Sequence, residues 1–453
     1  MLDELIVSLS PQTLASGSAE ERATFGLFAV VANEHLLTAG EDVSQKELRH
    51  GPHVAGYPIA EWLVWNWWRL RWEIGRPSDE NAACRWDFAH RMSTIGEGYV
   101  WPNITISSDG LQSYLFSEPS RNPEMMLFRY FGAPGRQTVP AASLETAVDG
   151  FVADILTRLE RAGVHETNLH RLWADLRMER EDHELARFRR LEAQLGYEPD
   201  EADEDAIRRR LDDAVELGEE ALGEIAADAT LGDDALRGMM SAGDFADIAL
   251  QNGFEANPND AITLGDMPGM PQPGQVEAWR LGQLFAKGIR AQESLEEHRI
   301  SDTALANFAG SVSDAISRQS GHPSTISFAL DGQDGRTHMS LRSRWETGRR
   351  FDLARLIGDR LLRNQIHGSP EPLFPATRAS SYRQKMQRAF AAELLSPFAV
   401  VDDMLGGDYS EEKQNEVAAH FTVSPMTIQT QLVNHRRIDR DDAPDIAEHS
   451  PYS

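Results

Sequence analysis

Ile326-Ser327-Phe328-Ala329-Leu330-Asp331-Gly332-Gln333-Asp334-Gly335-Arg336-Thr337-His338-Met339-Ser340-Leu341 decides the fold class. Ile326, Phe328 and Leu330 alternate with other residues, Gln333-Asp334-Gly335 turns the chain, and Met339 and Leu341 alternate on the way back, which predicts a β-hairpin. Two helices are expected to follow, over about 351–363 and 381–395, the second ending before Pro397, whose ring cannot continue a helix. Before the hairpin, Ala278 to Gln292 reads as a helix, and Ser301-Asp302 caps a short one through Leu305 and Phe308. Strands and helices mixed in this way make the segment α+β.

Working outward, Ser18 and Glu21 have capping-box spacing ahead of the apolar run Phe25 to Leu37, which predicts a helix there. Asn103–Ser107 and Leu111–Phe116 flank Ser108-Asp109-Gly110 as a second hairpin, so the first domain also reads as α+β. From about 142 the period becomes helical: Val148, Phe151, Val152, Ile155, Leu156 and Leu159 share one face, and Gly163 supplies a stop. Residues 151–260 carry 28 acidic against 12 basic side chains, most simply a solvated helical face. Pro258, Pro268, Pro271 and Pro273, with glycines and no apolar period, give 257–275 the chemistry of a linker. The expected organisation is a Trp-rich α+β domain over 1–140, an acidic helical region over 141–256, the linker, an α+β domain over 276–440 and a flexible tail over 441–453.

The chain has 453 residues and is 41% hydrophobic, enough for more than one core. A net charge of −28 repels phosphate backbones and anionic membranes, so any nucleic-acid contact must be local. The single cysteine, Cys84, excludes intramolecular disulfides and Cys-rich zinc sites and suggests a reducing cytosol. With no basic segment before an apolar start and no run approaching about 18 apolar residues, a soluble, cytoplasmic protein without membrane contact is expected. Gly-x-Ser-x-Gly, P-loop and dinucleotide-binding motifs are all missing, so no cofactor is indicated.

Two stretches carry a family resemblance: Arg349-Arg350-Phe351-Asp352-Leu353-Ala354-Arg355-Leu356-Ile357-Gly358-Asp359 and Gln387-Arg388-Ala389-Phe390-Ala391-Ala392-Glu393-Leu394-Leu395-Ser396-Pro397. With Trp279, Gly282 and Ala286 on an opening helix, residues of about 275–435 resemble the ImmA/IrrE family of zinc metallopeptidases. The resemblance implies a zincin-like domain in which the first helix carries His-Glu-x-x-His, two imidazoles holding zinc and a glutamate as general base. A later helix brings a third, acidic ligand. Here the motif falls on Arg355, Leu356, Ile357, Gly358 and Asp359, and Lys385 or Arg383 stands in the acidic ligand's region, where a cation opposes a divalent ion. The former zinc site, Arg355, Leu356, Asp359 and Lys385, thus reads as degenerate, with no catalytic residue and no metal ligand. Arg355 and Asp359, four apart, are expected to pair within the helix, with Asp352 nearby. Glu393 reads as surface or structural, and Asp352, Asp359 and His367 make at best a poor oxygen-rich metal site.

Ser410 through His435 resembles a helix-turn-helix with its turn at Thr422-Val423-Ser424. Its second helix would present Thr427, Gln429, Thr430 and Gln431 to a groove, with His435, Arg436, Arg437 and Arg440 as phosphate contacts. Trp62, Trp65 and Trp72, expected on one helical face with Arg69, offer a stacking platform, against which core packing is the plainer reading. The resemblance implies a catalytically inactive bacterial regulatory or defence protein, tied to mobile elements, that binds a protein partner. The alternatives are a DNA-binding regulator acting through 410–440, which the net charge disfavours, and a metal-dependent peptidase with rearranged ligands.

Overall fold

The computed structural model describes residues 5–121, 126–133, 135–230, 235–265, 267, 269–295, 297–312, 316–317, 324–366 and 371–439. The chain is a mixed α+β protein that divides into two compact units. One comprises Met1–Leu211, Ala226–Met239 and Ala379–Ser381, the other Asp212–Ile225, Met240–Arg378 and Tyr382–Ser453.

Unit 1 opens with β1 (Leu5–Pro11), α1 (Ala19–Thr24) and β2 (Phe25–Ala32). The Ser18–Glu21 capping box is present, but the apolar run that follows it is strand, correcting the helix expected from Phe25 to Leu37. Burial alternates strictly along β2, with Gly26, Phe28, Val30 and Ala32 inward, a period of two that a helix cannot produce. β2 pairs with β1, β3 (His35–Leu36) and β6 (His53–Ala55), all antiparallel. β4 (Gly40–Asp42) and β5 (Glu47–Arg49) form a small sheet with β9 (Phe128–Tyr130). Helices α2 (Gly56–Trp65), α3 (Trp67–Trp72) and α4 (Glu80–His90) lead to the hairpin of β7 (Ile104–Ser108) and β8 (Gln112–Ser117), joined by β10 (Arg136–Pro140). α5 (Ala141–Arg161) buries Val148, Phe151, Val152, Ile155 and Leu159, the stripe read from the sequence, in a core shared with Phe28, Trp67 and Trp68.

Helices continue as α6 (Asn168–Glu181), α7 (His183–Gln194), α8 (Glu204–Leu217), α9 (Glu219–Ala229), α10 (Ala235–Gly238) and α11 (Ala242–Asn252). In unit 2, β11 (Phe254–Ala256) precedes the Pro- and Gly-rich stretch 257–275, which runs within this unit and is tied by Asn257 N to Gly310 O and Ile262 N to Phe308 O. α12 (Ala278–Gln292) and α13 (Asp302–Phe308), capped by Ser301, come next. β12 (Ser327–Asp331) and β13 (Thr337–Ser340) form the hairpin expected around Gln333-Asp334-Gly335, Phe328 facing Ser340 and Asp331 facing Thr337. Then follow α14 (Glu346–Ile366), β14 (Leu373–Ala376) and α15 (Tyr382–Leu395). The sheet runs β11-β13-β12-β14, antiparallel throughout.

The helical layer of unit 2 is held by close approach. A Cβ on Gly282 of α12 would stand 2.2 Å from the Met386 carbonyl oxygen of α15, and one on Gly358 of α14 would stand 2.4 Å from the Phe390 ring. Side-chain-free positions on two helices therefore let both crowd against α15, with Phe390 fully buried between them. α16 (Phe398–Leu405), α17 (Glu411–Phe421) and α18 (Pro425–Asn434) complete the unit, with Val417, Phe421, Ile428 and Leu432 joining the same core. No helix among the described residues is long and apolar enough to cross a membrane.

Candidate functional site: a buried polar layer between α14 and α15

Arg355 and Asp359 lie on α14, which packs on α15 beside the end of β14. Arg355 is buried, and its Nη2 donates to the Thr377 carbonyl at 2.6 Å and to Gln384 Oε1 at 2.5 Å. Gln384 also accepts from Thr377 N and returns Nε2 to the Pro375 carbonyl, which Gln387 Nε2 reaches as well at 3.2 Å. Asp352, one turn before Arg355, stands 3.9 Å from its guanidinium and accepts from Ser327 Oγ on β12 at 2.7 Å. Burial pushes the Asp352 carboxyl up, against the pull of Arg355 and Ser327. Leu356 is buried in the core, and Lys385 is half-buried on α15.

Asp359 is fully buried, and the partner the structure gives it is Arg383 of α15, not the Arg355 expected from spacing. Arg383 binds it with both arms of the fork, Nε to Oδ1 at 2.8 Å and Nη2 to Oδ2 at 2.6 Å. The expectation erred because the i, i+4 rule compares residues of one helix, whereas a buried carboxylate takes the cation that reaches it bidentately from the next. Burial pushes the Arg383 guanidinium down, but the charge and hydrogen bonds of Asp359 outweigh it and hold it up. Glu371 extends the knot, 2.5 Å from Arg363 and 3.8 Å from Arg383.

This layer has the composition of a positioning network: guanidiniums face carboxylates, carbonyls and amides. His367 lies outside the described residues, and no group of three or more His, Cys, Asp or Glu among the described residues is arranged to hold a metal ion. Gln384, Gln387 and Glu371 escaped sequence reasoning, although Gln384 and Gln387, three apart on α15, carried the spacing of a shared face.

Glu393 is buried and accepts from Gln283 Nε2 of α12 at 2.9 Å and from Phe398 N at the start of α16 at 3.2 Å. Gln283 Nε2 also lies 2.9 Å from Nε2 of His435, whose ring stacks on Phe398 with centroids 3.5 Å apart and meets Trp279 edge-on. Burial, with Lys287 and Arg437 next in effect, lowers the His435 pKa to about 4, against the opposing charge of Asp402. An imidazole neutral when folded stabilises above its ordinary value of about 6.5 and loses that contribution as pH falls towards about 4. Melting temperatures taken stepwise through that window should fall more for the wild type than for His435→Phe; parallel curves would refute the assignment.

The tail forms two helices with the turn at Thr422-Val423-Ser424, Thr422 being left-handed. Its polar face is turned inward, which corrects the groove-facing arrangement: Thr427, Gln429 and Gln431 are buried, and Gln431 Nε2 donates to the Ser396 carbonyl at 2.8 Å. The Ser396 carbonyl just past α15 satisfies the Gln431 amide, and the Thr427 hydroxyl pairs with that of Ser424, so both side chains can face in. Thr430 and Arg436 are exposed, Arg437 is held by Asp402 at 2.6 Å, and Arg440 lies outside the described residues, as does the expected tail 441–453.

The three tryptophans do not form one platform. Asn66 breaks the helix between α2 and α3, so Trp62, Trp65 and Trp72 do not lie along one continuous face. Trp62 is buried and donates Nε1 to the Phe88 carbonyl, Trp65 is half exposed, and the Trp72 ring is covered by the Arg71 and Arg190 guanidiniums at 3.9 and 4.0 Å from its centroid.

Compared with family models, curated proteins and solved structures, the chain matches none of them.

Proposed function

We propose that unit 2 is a degenerate, zincin-like domain of ImmA/IrrE type that engages a protein partner without cleaving it, in a bacterial regulatory or defence role. The observation that carries this reading is the buried layer between α14 and α15. At the positions of the family's zinc-binding motif stand Arg355 and Asp359, engaged by Gln384 and Arg383 of the helix that would bring the third ligand. A guanidinium bound to both oxygens of Asp359 neutralises that carboxylate and opposes a divalent ion electrostatically. The order of two helices, hairpin, helix, strand and helix from α12 to α15 supports the same reading.

The test is metal content of the full chain, purified without a histidine tag from zinc-supplemented cells, with melts run with and without chelator. Below about a tenth of a zinc per chain and an unchanged melt are expected. Near one zinc per chain with a chelator-sensitive melt would overturn the reading in favour of a peptidase. Duplex DNA is the second arm: salt-sensitive binding that weakens in Arg436→Ala would favour the DNA-binding regulator instead.

A further inference from the structure

β1 ends its sheet, with β2 as its pairing partner on one side and no strand on the other among the described residues. The bond from Gln12 N to Phe25 O continues the ladder and fixes its phase: Ile6, Ser8 and Ser10 turn their backbone groups to β2, while Leu5, Val7 and Leu9 turn theirs away. The Leu9 carbonyl confirms that direction, since it accepts from Arg158 Nη2 of α5. The N–H groups of Leu5, Val7 and Leu9 and the carbonyls of Leu5 and Val7 have no hydrogen-bond partner among the described residues. Leu5 and Leu9 are buried in the core, and Ile6 on the other face is 44% exposed. Edge strands are usually blunted by charge or by a bulge. β1 has neither: its register with β2 is unbroken from Leu5 to Pro11, and no ionisable side chain occurs from Leu5 to Ala19 in a chain that is 26% charged.

We propose that β1 pairs antiparallel with β1 of a second copy of this chain, about a two-fold axis through Val7, joining two four-stranded sheets edge to edge. The strand is self-complementary in that register. Val7 meets Val7 of the copy and exchanges both hydrogen bonds with it, Leu5 meets Leu9 on the core face, and Ile6 meets Ser8 on the other. Charge selects a copy as the occupant. Two chains of net charge −28 repel over most of their surface, so they approach most easily through an uncharged strand. Where charge does border the edge it is matched: Arg158 stands at the Leu9 end, and the copy's chain comes to that end with Asp3-Glu4, the acidic pair ahead of β1 in the sequence.

Sedimentation equilibrium of the full chain should give twice the chain mass at concentrations up to about 0.1 mM. Val7→Pro removes an outward N–H without touching the ladder to β2, and Ile6→Lys with Ser8→Lys sets lysines opposite one another on exposed positions; each should return the chain to a single copy. The register is read by cysteine pairing in a Cys84→Ser background. Val7→Cys should form a disulfide-linked dimer on mild oxidation, because hydrogen-bonded antiparallel partners stand about 5.5 Å apart at Cα, whereas Ser8→Cys, whose opposite number is Ile6, should not. A wild-type chain that stays single would leave the edge to a strand from another protein and overturn the proposal. So would a dimer that survives both sets of substitutions, or cysteines at 7 and 8 that couple equally well.

Discussion

Asp359→Ala should lower the unfolding free energy of unit 2 by about 3–5 kcal/mol, read as a fall in denaturant midpoint with the slope unchanged. The carboxylate is completely buried, and its removal leaves the Arg383 guanidinium, itself largely enclosed, without the group that binds it bidentately. Much of the loss is the residual cation and not the value of the pair, so a double replacement, Asp359→Leu with Arg383→Met, should recover most of it. A double variant no more stable than the single one would mean that the pair fixes the α14–α15 packing and that apolar bulk cannot replace it. Arg363→Ala should act in the same direction but less, because Glu371 is shared with Arg383.

Phe390→Ala should cost a comparable amount, about 3–5 kcal/mol, by a different route. The ring is fully buried and lies on Gly358, where any side chain would overlap it. Truncation opens a cavity that α12 and α14 are poorly placed to fill, since Gly282 already brings α12 against the α15 backbone. Phe390→Leu should recover a large part of the loss by keeping most of the volume. If the unfolding free energies of Phe390→Ala and wild type from urea titration differ by less than about 1 kcal/mol, the three-helix packing is not as close as the geometry indicates.

How far the sequence could be read depended on whether the deciding partner lay nearby. Both hairpins were legible, because alternation over a few residues and an Asp-Gly or Ser-Asp-Gly turn are local signals. The helix from Ala278 to Gln292 was legible with its bounds, since its stripe and ends lie in one stretch. β2 was not: Phe25 to Ala32 has apolar residues on both faces, a composition compatible with either period, and pairing on two sides decided it. The pairing of Asp359 was not legible, because its partner lies on another helix. Arg355 and Asp359 do lie in one buried layer, but Asp359 takes Arg383, twenty-four residues along. Thr427, Gln429 and Gln431 were misjudged because polarity suggests water, while a backbone carbonyl at Ser396 can serve an amide equally well.

The inward turn of α18 changes what any ligand of that helix would have to do. Gln431 on Ser396, Arg437 on Asp402 and His435 on Phe398 hold it down, so Thr427, Gln429 and Gln431 are a latent surface. A ligand for them would bind only molecules whose last helix has lifted away, and its apparent affinity would be divided by the small fraction in that state. Mild acid, by charging His435, enlarges that fraction. Binding there would therefore begin slowly, speed up as pH falls, and track the docking of the helix more closely than the identity of the side chains beneath it.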